Sequence, residues 1–178
     1  MAHKEQQEFI SRVRGNFNYY FGGKKVLEVG SLNINGSLRE FFIQCHYIGI
    51  DVAKGPCVDI VCQGQDYDAS DDCFDVVCSA ECFEHNPYWL ETFINMIRMC
   101  KPGGLIFFTC ASTGRLEHGT LNCHPILSPL TINLGWDYYK NLTDFDFKNN
   151  IIFEDKFNYH GFEINTDSHD LYFWGLKK

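Results

Sequence analysis

Short apolar runs punctuate the first two thirds of the chain: KKVLEVG ending at Gly30, HYIGIDV around Asp51, then DIVCQG, FDVVCSA and LIFFTCAS. Each is bounded by turn-forming residues and predicts a buried strand. Stretches with helical spacing lie before and between them. Residues 3–20 carry Phe9, Ile10, Val13 and Phe17 on one face, an amphipathic helix stopped by Gly22-Gly23. Asn35-Gly36-Ser37 opens a second helical stretch, SLREFFIQ, and NPYWLETFINMIRMC is a third, ended by the turn Lys101-Pro102-Gly103-Gly104. Strands alternating with helices imply right-handed crossovers and a parallel sheet covered on both faces. The pattern lapses over residues 113–150 and then recovers. FNYHGFEINTD and DLYFWGLKK predict a closing antiparallel pair that turns at Ser168.

The chain has 178 residues, enough for one domain with a sizeable core. The expected division is a helix over 3–20, a sheet core over 24–112, an insertion over 113–150 and closing strands over 151–178. A net charge of -8 and no basic cluster argue against a nucleic-acid partner, whose phosphates demand one. The nine cysteines form no CxxC pair, are odd in number and follow a polar N-terminus, so free thiols in a reducing cytoplasm are expected. No apolar run reaches the roughly 18 residues of a membrane span. The 16% aromatic content is high, and part of it falls in the insertion.

The chemistry sits at the strand ends, where open parallel sheets bind ligands. The first strand ends in Glu28-Val29-Gly30-Ser31, and Gly30 allows a close backbone approach. The second ends in Asp51, about twenty residues later, where a carboxylate can accept hydrogen bonds from both ribose hydroxyls. The loop from Gly30 to Gly36 lacks the G-x-G-x-x-G run of a pyrophosphate cradle, which disfavours a nicotinamide-dependent oxidoreductase. A non-catalytic cofactor-binding or interaction protein is the other alternative, since fold does not fix function.

In order, VLEVGS, GID, DIVCQGQDYDASDDCFDVVCSAECFEH and KPGGLIFF resemble the class I S-adenosylmethionine-dependent methyltransferases. The resemblance covers about Lys24 to Ser112 and is most specific from Phe74-Asp75 through Glu84-His85 to Pro102-Gly103-Gly104. It implies an α/β, Rossmann-like doubly wound sheet, mostly parallel, with a C-terminal antiparallel hairpin and helices on both faces. It further implies S-adenosylmethionine as cofactor. Glu28, Gly30, Ser31 and Gly36 would surround its methionine end, and Asp51 would hold the ribose with Val52 against the adenine. Gln63 and Gly64 would flank the adenine edge, and Ser79, Ala80 and Glu81 would lie beside methionine and ribose. The chain departs from the family in a longer loop with one glycine fewer and in Gln63, where an acidic residue is common.

The methyl acceptor should sit over the ends of the fourth and fifth strands, reached by Glu84-His85-Asn86-Pro87-Tyr88 and by the insertion. The insertion offers Arg115, Glu117, His118, His124, Trp136, Asp137, Tyr138 and Tyr139, a mix suited to a small, sugar-like or biosynthetic acceptor. His85 and His118 are the candidate catalytic residues, because imidazole titrates near neutral pH. His118 and His124 lack a third ligand, so no metal site is expected. Among the acidic residues of 66–72, only Asp66 is placed to face the cofactor.

Overall fold

The computed structural model describes residues 4–178. Seven strands form one sheet: β1 (Lys25–Val29), β2 (His46–Asp51), β3 (Ile60–Val61), β4 (Phe74–Ala80), β5 (Cys100–Ala111), β6 (Phe157–Asn165) and β7 (Asp170–Lys177). Their spatial order is β3-β2-β1-β4-β5-β7-β6. The first five run parallel, while β7 pairs antiparallel with both β5 and β6. The order reverses beside β1, so β1 and β4 flank the crevice where a doubly wound sheet binds its ligand.

Alternate residues of the strands feed two cores, one on each face. Val26, Val76, Leu105, Phe107 and Tyr172 meet helix α1 (Lys4–Asn16) through its Phe9, Ile10 and Val13. Leu27, Val77, Ile106, Phe108 and Phe173 meet α2 (Trp89–Met99) through Phe93, Met96 and Ile97. The insertion supplies the remaining helices: α3 (Pro129–Asn133), α4 (Asp144–Lys148) and, just beyond it, α5 (Phe153–Lys156). Aromatic side chains are shared between both cores, and in the second they form a close cluster. Phe108 lies 4.8 Å from Phe147, 4.9 Å from Phe83 and 5.2 Å from Phe173, centroid to centroid.

Several expected elements come out differently. The first helix ends at Asn16, a 3-10 turn follows at Asn18–Phe21, and residue 3 of the expected span lies outside the described residues. SLREFFIQ is not an α-helix but a single 3-10 turn, Leu38–Phe41, because Ile43 is drawn into backbone hydrogen bonds with Phe21 and Gly23. DIVCQG contributes only Ile60–Val61 to the sheet, as an edge strand. Conversely β5 begins before the Lys101–Gly104 turn. Phe74 pairs with Cys100 and Val76 with Leu105, so the turn bulges out of the ladder. The Tyr20 hydroxyl donates to the Gly103 carbonyl at 2.5 Å and ties that bulge to the 3-10 turn after α1. All nine cysteines are free thiols. Among the described residues no helix is long and apolar enough to cross a membrane.

Candidate active site

At the carboxyl ends of β1, β2 and β4 the sheet opens into a cleft. Glu28, Gly30, Gly36, Asp51, Ala80, Glu81 and His85 line it. A second chamber adjoins it, lined by Val52, Gly64, Asn86 and Trp136 among others. Gly30, Asp51, Cys82 and Thr131 border both chambers.

The floor is the backbone turn after β1. Gly30 adopts φ +79, and both Gly30 and Ser31 donate to the Ile50 carbonyl, at 2.9 and 3.1 Å. A Cβ on Gly30 would stand 2.6 Å from the Cys82 Cβ, so only glycine permits the approach of this turn to the end of β4. Asp51 is fastened at the end of β2. Its Oδ2 accepts from the Leu32 N–H at 2.9 Å and its Oδ1 from the Val52 N–H at 2.8 Å. Burial raises its pKa, and those two amide donors oppose the rise. Each oxygen keeps a further lone pair for a ligand hydroxyl.

Glu28 is 4% exposed and accepts a 2.8 Å hydrogen bond from the Tyr47 hydroxyl. Burial pushes its pKa from 4.5 to about 7 against the pull of that bond. A carboxyl raised on folding means the folded state holds more protons than the unfolded chain between pH 4.5 and about 7. Stability therefore falls as pH rises through that window. Glu28→Gln is expected to raise the unfolding midpoint of the ligand-free protein at pH 8, with the gain vanishing below about pH 4.5, where both side chains are neutral. Thermal melts at several pH values check this, and a gain independent of pH would contradict it.

The remaining expected contacts divide. Ser31 lies under the turn, its hydroxyl without a partner, with a Cβ on Gly49 standing 2.6 Å from it. Ser79 donates to the Val29 carbonyl at 2.8 Å and holds β4 to β1. Gln63 accepts from Gln65 at 2.6 Å and precedes the 3-10 turn Gly64–Asp66. None of these three, nor Asp66, is among the lining residues of either chamber. The lining also contains residues that sequence patterns did not single out. Leu32, Ile34 and Cys82 follow strand ends, while Leu127, Ser128, Pro129, Leu130 and Thr131 close the cleft from the insertion.

His85 lines the cleft, and His118 stands against it, their rings 5.0 Å apart and nearly perpendicular. His85 is 4% exposed, and burial followed by the neighbouring His118 lowers its pKa to about 3. Burial lowers His118 as well. A ring held that far down takes up a proton poorly, so His85 is neutral throughout the physiological range. Close to both lies Glu84, fully buried, its pKa raised by burial and by the adjacent Glu81. Arg115 stands 3.9 Å from Glu81 and 3.3 Å from Asp170. Trp136 lines the second chamber and packs on Tyr88 at 5.6 Å. His124 instead adopts a left-handed conformation ahead of the 3-10 turn Pro125–Leu127, outside the lining of either chamber.

The model of a family described as a methyltransferase domain matches residues 1–130. No curated protein matches the chain in sequence. Solved structures share its fold. A Haemonchus contortus phosphoethanolamine N-methyltransferase 2, in complex with phosphomonomethylethanolamine and S-adenosylhomocysteine, superposes over 96% of this chain with TM-score 0.64 and 15% identity. This chain covers 52% of that one, about half its length. The same enzyme in complex with S-adenosyl-L-methionine aligns over 90% of this chain and 39% of its own, at 22% identity and TM-score 0.60. A Burkholderia thailandensis 1,6-didemethyltoxoflavin-N1-methyltransferase, with bound 1,6-didemethyltoxoflavin and S-adenosylhomocysteine, covers 100% of this chain and 92% of its own at TM-score 0.60 and 12% identity.

Proposed function

Because this chain belongs to the methyltransferase-domain family, which uses S-adenosylmethionine, we propose that it transfers the methyl group of that cofactor to a small-molecule acceptor. One observation carries the reading: three carboxylates, Glu28, Asp51 and Glu81, line the joined chambers, and among the described residues no lysine or arginine does. Such a lining suits a ligand bearing a sulfonium cation, an ammonium group and ribose hydroxyls. It is ill suited to the pyrophosphate of a nicotinamide cofactor, which needs amide or cationic donors.

When bound, S-adenosylmethionine supplies a methyl group already activated on a positively charged sulfur. The chain's residues then have positional work. Asp51 holds the ribose, Val52 and Gly64 border the adenine chamber, and Glu28 and Gly36 border the methionine end. Much of the rate can come from alignment of acceptor and methyl group, worth roughly 7–11 kcal/mol at the favourable limit. Leu127 to Thr131 border the cleft from the insertion side. Glu81 and His85 border the side left for the acceptor. A small acceptor is supported by the small molecules named for the structural neighbours.

Isothermal titration with S-adenosylhomocysteine tests the cofactor site; heat of binding at micromolar concentration is expected, and none at high micromolar concentration sinks the reading. Incubation of the protein with S-adenosylmethionine and mixed small hydroxyl and amine acceptors should then accumulate S-adenosylhomocysteine. Binding without accumulation for any acceptor would favour a non-catalytic role.

A further inference from the structure

Beside the cleft, three side chains present lone pairs to one another. One ligand atom from each of Glu84, His85 and His118 lies within 4.8 Å of the other two. Glu84 is 0% exposed, and neither of its carboxylate oxygens has a hydrogen-bond partner. The Nδ1 of His85 is likewise buried and unpartnered, so that ring's hydrogen bond to the Tyr138 backbone runs from Nε2. His118 faces the opposite way round: its Nδ1 lies 3.0 Å from the Leu116 carbonyl, which it can satisfy only as donor, leaving Nε2 with a lone pair. Each imidazole is thus fixed through one nitrogen by a main-chain carbonyl and bare at the other, as metal-bound histidines are.

The surroundings hold this arrangement rigid. The Tyr139 ring packs against His85 at 5.6 Å and His118 at 5.0 Å. Its hydroxyl donates to Asn141 Oδ1 at 2.9 Å and lies 3.2 Å from the Leu116 carbonyl. Gly119, at φ +66, leaves free the space beside His85; a Cβ there would stand 3.1 Å from Nδ1. Glu81 adjoins Glu84, and Arg115, 3.9 Å from Glu81, is also engaged by Asp170 and by the Ser168 carbonyl at 2.8 Å.

We propose that Glu84, His85 and His118 are the ligands of a divalent first-row transition-metal ion, with Glu81 as the adjoining carboxylate. Two neutral imidazoles favour manganese, iron, cobalt or zinc over calcium and magnesium, which take oxygen ligands. Three protein ligands leave coordination positions open, as in catalytic rather than structural metal sites. His85 and Glu81 also line the cleft. A hydroxyl acceptor would reach an open position there; that consequence rests on the methyltransferase reading, whereas the metal site itself does not.

The test uses the full chain, stripped by chelator, with no cofactor present. Titration with Co²⁺ should give a visible absorption band that saturates at one ion per chain, and calorimetry with Mn²⁺ and Zn²⁺ should give the same stoichiometry. His118→Ala, on a half-buried loop position, should weaken binding at least tenfold, as should Glu84→Gln, with folding checked by circular dichroism. His124→Ala, on the same segment but outside the cluster, should leave affinity unchanged. No cobalt band and no heat from Mn²⁺ or Zn²⁺ at about 1 mM would overturn the site. So would binding that His118→Ala leaves intact. Because the readout involves metal alone, its failure leaves the S-adenosylhomocysteine titration untouched.

Discussion

Asp51→Ala is expected to weaken S-adenosylhomocysteine binding by more than tenfold in isothermal titration. A charge-assisted hydrogen bond contributes about 1.5–3 kcal/mol, and every 1.4 kcal/mol is a tenfold change in affinity. The alanine also releases the Leu32 and Val52 amides that Asp51 now fastens, so the loop that forms the cleft floor loosens with it. Asp51→Asn separates the two effects. It keeps one acceptor oxygen for a backbone amide but removes the charge, and should fall between wild type and alanine. Unchanged affinity in Asp51→Ala would refute the ribose assignment, and equal loss in both variants would assign the effect to charge alone.

The second large effect concerns stability. Phe108→Ala removes a fully buried ring from the centre of the aromatic core, where Phe83, Phe147 and Phe173 all pack on it. Truncations of this kind cost about 3–5 kcal/mol, because rigid neighbours cannot collapse into the space. For a chain of this size each kcal/mol moves the midpoint by about 2–4 °C, so a fall of roughly 6–20 °C is expected in a thermal melt. Phe145→Ala provides the contrast. Phe145 is 68% exposed, and its loss should shift the midpoint by no more than about 2 °C. Similar shifts for the two variants would mean that the aromatic cluster does not carry the core.

Much of this architecture was legible in the order of residues, for definite reasons. Strands such as FDVVCSA are buried on both faces and read as unbroken apolar runs. The closing hairpin and α2 carried strong periodicity and clear turn signals. What escaped was decided by distance in space. SLREFFIQ has helical spacing, but the Ile43–Phe21 and Gly23–Ile43 backbone hydrogen bonds cut the helix to one turn. The short Pro129–Asn133 helix has no apolar stripe of its own, so nothing announced that Leu130 and Thr131 would reach the cleft.

The site divides in the same way. Glu28, Gly30, Asp51 and Glu81 follow strand ends, and topology alone directs such positions to the crevice. Ser79 occupies an equivalent position but points its hydroxyl into the sheet, a matter of side-chain period that a motif does not report. Sequence spacing sets His118 beside His124, its nearest histidine in the chain, and gives no sign that Glu84 and His85 stand against it. The partner the fold supplies is His85, far back in the chain beyond β5. The spacing of Glu81 and Glu84 across one turn, followed at once by His85, was the available signal.

The position of β7 between β5 and β6 governs how the molecule must be made. During synthesis β6 leaves the ribosome before β7, yet its ladder partner in the sheet is β7 alone. Until β7 emerges and slides between the two, β5 is an open edge and β6 has nothing to pair with. Nascent chains arrested within β6 should therefore be far more prone to aggregation and proteolysis than chains carried through β7, with the nucleotide-side strands already in place and only the far edge unfinished.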